Sequence, residues 1–111
     1  MRIYIAGKVT GLLYEDVFAK FEKAEQMLLK AGWEPVNPMK LGIPFTASRD
    51  EALRICVPKM KTCKAIFMLE DWEDSIGSIV EHGISKHENR KRYYEQWHKF
   101  DYMKKINTTV L

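Results

Sequence analysis

Three short apolar runs dominate the sequence: RIYIA at residues 2–6, WEPV at 33–36 and KAIFML at 64–69. Each is rich in β-branched, aromatic or other apolar residues and stops at a loop, as buried strands do. Between and after them the apolar period changes from strand-like to helical. From about Glu15 to Ala31, Val17, Phe18, Phe21, Ala24, Leu28 and Leu29 recur at spacings of three and four, with Lys20, Glu22, Lys23 and Glu25 on the other face. Gly32 is a natural stop for that helix. A second helix is predicted over residues 49–62, with Ser48 as N-cap and Glu51 completing a capping box. Pro58 within it predicts a kink or a break into two short helices. A third helix starts near Ile76, with Ile76, Ile79, Val80 and Ile84 on one side. Strand–helix order repeated three times leaves little choice of fold. It calls for an α/β sandwich built on a small parallel sheet, because parallel neighbours need crossover helices.

At 111 residues the chain is one compact unit, and 46% apolar with 30% charged residues is the composition of a globular domain. No apolar run approaches the ~20 residues of a membrane span. The first residues read as a strand rather than a leader, so the expected location is cytoplasmic. The net charge of +3 is too mild to imply nucleic acid. Its distribution divides the chain into a domain over 1–88 and a basic, aromatic C-terminal extension over 89–111. If the extension is helical, Tyr93, Trp97, Phe100 and Lys104 share a face that would pack on the domain or on a partner subunit, making a homo-oligomer. Alternatively, Arg90, Lys91 and Arg92 with Tyr93 and Tyr94 would hold single-stranded nucleic acid. Thr108–Leu111 reads as a last short strand. Cys56 and Cys63 are seven residues apart, about 10 Å on one helix, which is too far for a disulfide. With no CxxC or Cys/His cluster, the sequence calls for no metal and no cofactor.

In a parallel sheet, ligands bind beyond the carboxyl ends of the strands. Three loops leave those ends: Gly7–Gly11, Asn37–Pro44 and Glu70–Gly77. In the first, Gly7 and Gly11 let the backbone approach a ligand, and Lys8 offers a point charge to a phosphate. The spacing fits neither a dinucleotide fingerprint nor a P-loop, and a plain tight turn explains it equally. Asn37 is the polar candidate of the second loop. The third loop and its helix, DWEDSIGSIVEHG at 71–83, are the sharper feature. Glu81 falls on the first turns of a helix beginning at the crevice, among apolar neighbours, where a carboxylate can attack an electron-poor sugar carbon. Ser75, Gly77 and Ser78 lie where backbone N–H groups and hydroxyls hold a phosphate. Against this, Ser75 could simply cap the helix and Glu81 could lie on the surface. Trp72 is placed to stack on a nucleobase or to cover the core. Asp71 and Asp74 would bind a ribose hydroxyl or solvate their loop. His82 is about 100° round the helix from Glu81, so the two do not automatically form a dyad.

MRIYIAGKVTGL, the VNP at 36–38, CKAIFML and DWEDSIGSIVEHG together resemble the nucleoside 2-deoxyribosyltransferase-like family. The closest likeness is to its short phage- and bacterial-type branch, with a pattern near IYIAGPMTG…NP…CDAIYMLPGWEDSxGAxxEH. The resemblance covers residues 1–86. It implies a flavodoxin-like three-layer sandwich with helices on both faces, and cleavage of the N-glycosidic bond of 2-deoxynucleosides or their 5′-monophosphates. It implies Glu81, in Glu81-His82-Gly83, as nucleophile and Tyr4 as its supporting phenol. Ser75 stands where transferases carry a sugar-binding aspartate, and Ser75-Ile76-Gly77 resembles the phosphate-contacting serine motif of monophosphate hydrolases. The sequence departs from the family at Lys8, at Thr10 in place of a phosphate-binding arginine, and at Lys64. At Cys56 the family carries the aspartate that protonates the leaving base. Asp50 and Glu51 lie upstream as substitutes. Three functions follow as expectations: an N-glycosidase acting on a deoxynucleotide, a nucleotide-binding module without turnover, and an assembly protein acting through its C-terminal extension.

Overall fold

The computed structural model describes residues 1–95. Its elements are β1 (Arg2–Ala6), α1 (Tyr14–Lys30), β2 (Glu34–Val36), α2 (Arg49–Met60), β3 (Ala65–Met68), α3 (Ile76–His87) and β4 (Lys91–Tyr94). Short 3-10 turns at Pro38–Lys40 and Trp72–Asp74 follow β2 and β3. The four strands form one sheet in the order β2-β1-β3-β4, and every pairing is parallel. The expected α/β three-layer sandwich is therefore the observed one. The order reverses between β1 and β3, which makes their carboxyl ends the switch point where a doubly wound sheet opens a crevice.

The near-continuous apolar character of β1 and β3 follows from their central place, with both faces covered. Alternate residues serve opposite layers. Ile3, Ile5, Ala65 and Phe67 pack with Val17, Phe21, Ala24 and Leu28 of α1. Tyr4, Ala6, Ile66 and Met68 pack on the other face with Cys56 and Met60 of α2, and Ile84 of α3 lies against them. The cysteines Cys56 and Cys63 are free and buried. Among the described residues no helix is long and apolar enough to cross a membrane.

The local signals act as their chemistry requires. The Ser48 side chain accepts the Glu51 N–H at 3.1 Å while the Glu51 carboxylate accepts the Ser48 N–H at 3.0 Å, the reciprocal capping box. Gly32 ends α1 with a φ of +91°, a left-handed conformation that glycine adopts without penalty.

Three expectations change. Pro58 does not split α2, which runs unbroken from Arg49 to Met60 with the proline inside it. Residues 91–94 do not begin a helical extension. They form β4, which pairs with β3 from Ala65↔Lys91 to Met68↔Tyr94, so the sheet runs past residue 88. Tyr93 packs against the α1-side core and Tyr94 against the other. Trp97, Phe100, Lys104 and the strand expected at 108–111 lie outside the described residues. The third change concerns α3. Its apolar side chains Ile76, Ile79 and Val80 are 61%, 47% and 40% exposed, and its buried residues are Ser78, Glu81 and Ser85. The helix turns its polar face inward.

Candidate active site

A cavity of about 630 Å³ opens at the carboxyl ends of the strands. The loop after β1, the segment from Pro38 to α2, and the first turns of α3 supply its walls. That size suits a ligand of nucleotide dimensions. Its position beside β1 and β3 is the one the strand order dictates.

Tyr4 and Glu81 meet at this cavity. Tyr4 is the middle residue of β1, and strand alternation turns it toward the α2–α3 layer. Glu81 lies on the inward face of α3. The Tyr4 hydroxyl donates to Glu81 Oε2 at 2.6 Å, with both residues buried and both bordering the cavity. Burial pushes the Glu81 carboxyl up to about 7, and the hydrogen bond from Tyr4 offsets part of that rise. The Tyr4 phenol is held well above its ordinary range, first by burial and then by the neighbouring Glu81 charge. The Cys56 thiol of α2 lies beside the Tyr4 hydroxyl and is pushed up to about 11, chiefly by burial. Near neutral pH the trio is therefore a neutral phenol, a neutral thiol and a carboxyl poised to ionise. Such a carboxylate can serve as a nucleophile or a base.

Ser78 stands three residues before Glu81 on the same face of α3. It is 1% exposed, it borders the cavity, and its hydroxyl has no hydrogen-bond partner among the described residues. Ser75 caps the helix, its Oγ accepting the Ser78 N–H at 3.2 Å. Gly7, Lys8, Gly11 and Gly77 also border the cavity, so eight of the expected site residues come together there. Gly7 is fixed by packing, since a Cβ there would lie 2.6 Å from Leu69 Cδ1. Gly11 is fixed by a φ of +85°.

Two expected ligand contacts are not part of the cavity wall. Asn37 is buried in a structural role, accepting the Met39 N–H and donating to Glu25 Oε1, both at 2.9 Å. The Trp72 ring stacks on His82, 4.2 Å between centroids, and packs on the Tyr4-side core. His82 in turn shares a 2.7 Å hydrogen bond with the Tyr94 hydroxyl and forms no dyad with Glu81. Asp71 neither solvates its loop nor faces a ligand. It accepts the Lys8 N–H at 3.0 Å and the Lys20 ammonium at 2.5 Å, and Lys20 also donates to the Lys8 carbonyl at 2.7 Å. This clamp ties the first loop to the third. Glu51 is occupied in the capping box, and neither it nor Asp50 borders the cavity. Among the described residues the carboxylates that do are Glu81 and Asp74.

Arg49, Tyr14 and Phe45 border the cavity without having been marked by any motif. Tyr14 and Phe45 meet edge to face, 5.2 Å between centroids. One signal for Arg49 was present. Helices that follow parallel strands begin at the crevice, so the capping box at Ser48 also locates Arg49 there. Among the described residues no group of three or more His, Cys, Asp or Glu could hold a metal ion.

A family model described as a domain of unknown function (DUF4406) matches residues 1–93, and the chain belongs to that family. No match was found among curated proteins or among solved structures.

Proposed function

We propose that this protein cleaves the N-glycosidic bond of 2-deoxynucleoside 5′-monophosphates, with Glu81 as nucleophile. The observation that carries the reading is the buried Tyr4–Glu81 hydrogen bond at the cavity wall. The motif likeness to nucleoside 2-deoxyribosyltransferase-like proteins supports it from the sequence side. In the proposed step a Glu81 oxygen bonds to the anomeric carbon as the bond to the base breaks. The bonding pair leaves with the base nitrogen, which then takes a proton. Water hydrolyses the glycosyl ester, releasing the sugar phosphate and restoring the carboxylate. Tyr4 orients the carboxylate and shares its charge. Gly7 and Gly11 shape the loop that cradles the ligand, and Ser75 contacts its phosphate or sugar.

One observation favours a second reading, nucleotide binding without turnover. Cys56 stands beside Tyr4 and Glu81, at the sequence position where the family likeness implies an acid for the leaving base, and a thiol pushed up to about 11 donates a proton poorly at neutral pH. Loss of general-acid assistance typically lowers a rate by ~10²–10⁴.

Incubating the protein with the four deoxynucleoside monophosphates and following free base by chromatography tests both readings. Base release that vanishes in Glu81→Ala supports the enzyme, and its rate should rise as pH passes through about 7, where Glu81 ionises. Nucleotides that raise the melting temperature yet stay intact support binding alone. A flat thermal-shift screen together with intact substrate would remove both.

A further inference from the structure

A second concavity, of about 310 Å³, lies at the amino ends of the strands, the opposite end of the sheet from the candidate active site. Trp33, Lys64, Arg90 and Lys91 border it, and all four sit at or just before the first residue of a strand. The Lys64 N–H donates to the Arg2 carbonyl at 3.2 Å and the Lys91 N–H to the Lys64 carbonyl at 3.3 Å. Arg2, Lys64 and Lys91 therefore stand side by side at the starts of β1, β3 and β4. Neighbouring strands are about 4.8 Å apart, so the row is about 10 Å long. All three residues are exposed, and none has an ion-pair partner among the described residues. Like charges on adjacent strands repel, and an anion laid along them removes that cost. Glu88, the one acid on the wall among the described residues, is already held between Lys61 at 3.3 Å and Arg90 at 3.0 Å. Glu34 ends the row beside Arg2, outside the cavity wall. Trp33 sets a flat apolar ring among these cations. It is half-buried, and Tyr93 braces it edge to face, 5.6 Å between centroids. Strand alternation turns Lys91 and Tyr93 to this face and Arg92 and Tyr94 to the α3 face, where Tyr94 meets His82. Of the basic aromatic run at 90–94, the fold thus puts Arg90 and Lys91 on this wall and adds Lys64 and Trp33 to them.

We infer that Trp33, Lys64, Arg90 and Lys91, with Arg2 beside them, form a binding surface for single-stranded nucleic acid, the phosphates lying on the cations and a base stacking on the Trp33 ring. The row of cations fits a chain of regularly spaced negative charges. The ring decides the class of partner. Unpaired bases stack on aromatic side chains with little regard to sequence, whereas a duplex keeps its bases stacked inside and an acidic peptide brings no base to the ring. The three cations of the row set the expected salt dependence, at ~0.7 in slope for each phosphate of a single strand. The surface needs neither the cavity at the other end of the sheet nor the chemistry proposed for it.

The test is fluorescence anisotropy of the full chain with end-labelled oligothymidylate and oligouridylate of about twelve residues, across a salt series. Both strands should bind at about 50 mM salt, with log affinity falling against log salt at a slope of about −2. Lys64→Gln/Lys91→Gln should weaken both at least about tenfold and flatten the slope to about −0.7. Trp33→Leu keeps an apolar side chain against the core and removes the stacking face, so it should weaken both about tenfold and leave the slope unchanged. An abasic strand of the same length should bind wild type about tenfold more weakly, which reads the stacking even if Trp33→Leu does not fold. Unchanged melting temperatures verify the folding of the lysine variants. The surface is overturned if neither strand binds or if Lys64→Gln/Lys91→Gln keeps the full affinity. It is also overturned if the abasic strand, a duplex or polyglutamate of equal charge binds as tightly, since the partner would then be a polyanion without unpaired bases.

Discussion

Helices α1 and α3 pack on opposite faces of one sheet and bury opposite kinds of residue. α1 turns Val17, Phe21, Ala24 and Leu28 inward and its charges outward. α3 turns Ser78, Glu81 and Ser85 inward and leaves Ile76, Ile79 and Val80 in solvent. The α1 side therefore gains its stability from apolar burial and dispersion. The α3 side forgoes much of that gain to hold a carboxyl and a phenol beside a cavity, with two further hydroxyls buried on the same helix face. The inversion sets α3 apart from a helix placed by apolar burial, and natural proteins depart from local folding rules chiefly at functional sites.

The largest test of this asymmetry is Leu28→Ala. Leu28 is buried in the α1 layer and does not border the cavity. Truncation should cost about 2–5 kcal/mol in urea unfolding and leave ligand affinity unchanged. A cost below 1 kcal/mol would show that the α1 layer is not the main source of stability.

Glu81→Gln should move stability the other way. The folded carboxyl titrates near 7, above its ordinary value of 4.5, because burial disfavours the charge. The folded state thus binds this proton more tightly than the unfolded state. The contribution is fully present below about pH 4.5, falls as pH rises toward 7, and is gone above it. The shift corresponds to about 3 kcal/mol as an upper bound. Relative to wild type, Glu81→Gln should therefore gain stability between pH 5 and pH 8 in paired urea melts. A constant difference across that range would mean that Glu81 carries its charge without penalty, and the α3 face would lose its distinction from a plain core.

The contrast between the two helices also explains what the sequence disclosed. Strand runs, helix periods and the Ser48 capping box are local signals, and all three appear where expected. β4 was obscured because KRYY is only four residues long and lies within a stretch dense in charged helix formers, and its pairing with β3 makes it a strand. On α1 the apolar period marks the buried face. On α3 it does not, since Ile76, Ile79 and Val80 are exposed while Ile84 packs on the core, because periodicity reports hydrophobicity and not which face meets the sheet. The meeting of Tyr4 and Glu81 was legible only through family likeness, since 77 residues separate them. Of the two roles left open for Trp72 its packing shows the covering of the core, and the Asn37 amide is engaged within the fold. Large aromatic and amide side chains in crevice loops look alike whether they face a ligand or brace the loop, and here they brace it. Arg49 went unmarked because no motif singles it out, and only the capping box at Ser48 combined with the strand order puts it at the crevice.

The smallest expected effect separates two hydroxyls on one turn. Ser75 Oγ accepts the Ser78 N–H, so Ser75→Ala removes a helix cap and should cost about 1 kcal/mol. Ser78 is the more buried residue, yet its hydroxyl has no partner among the described residues, so Ser78→Ala removes a desolvated donor that earns nothing in the unliganded fold. It should be neutral or stabilising by up to about 1 kcal/mol. The order is opposite to the one burial alone predicts, because a lost cap leaves a backbone donor unsatisfied while a lost orphan hydroxyl relieves one. Urea melts of the two variants without ligand decide it. If Ser78→Ala proves the more costly, its hydroxyl serves the fold, and the inward polar face of α3 is held for stability and not for a ligand.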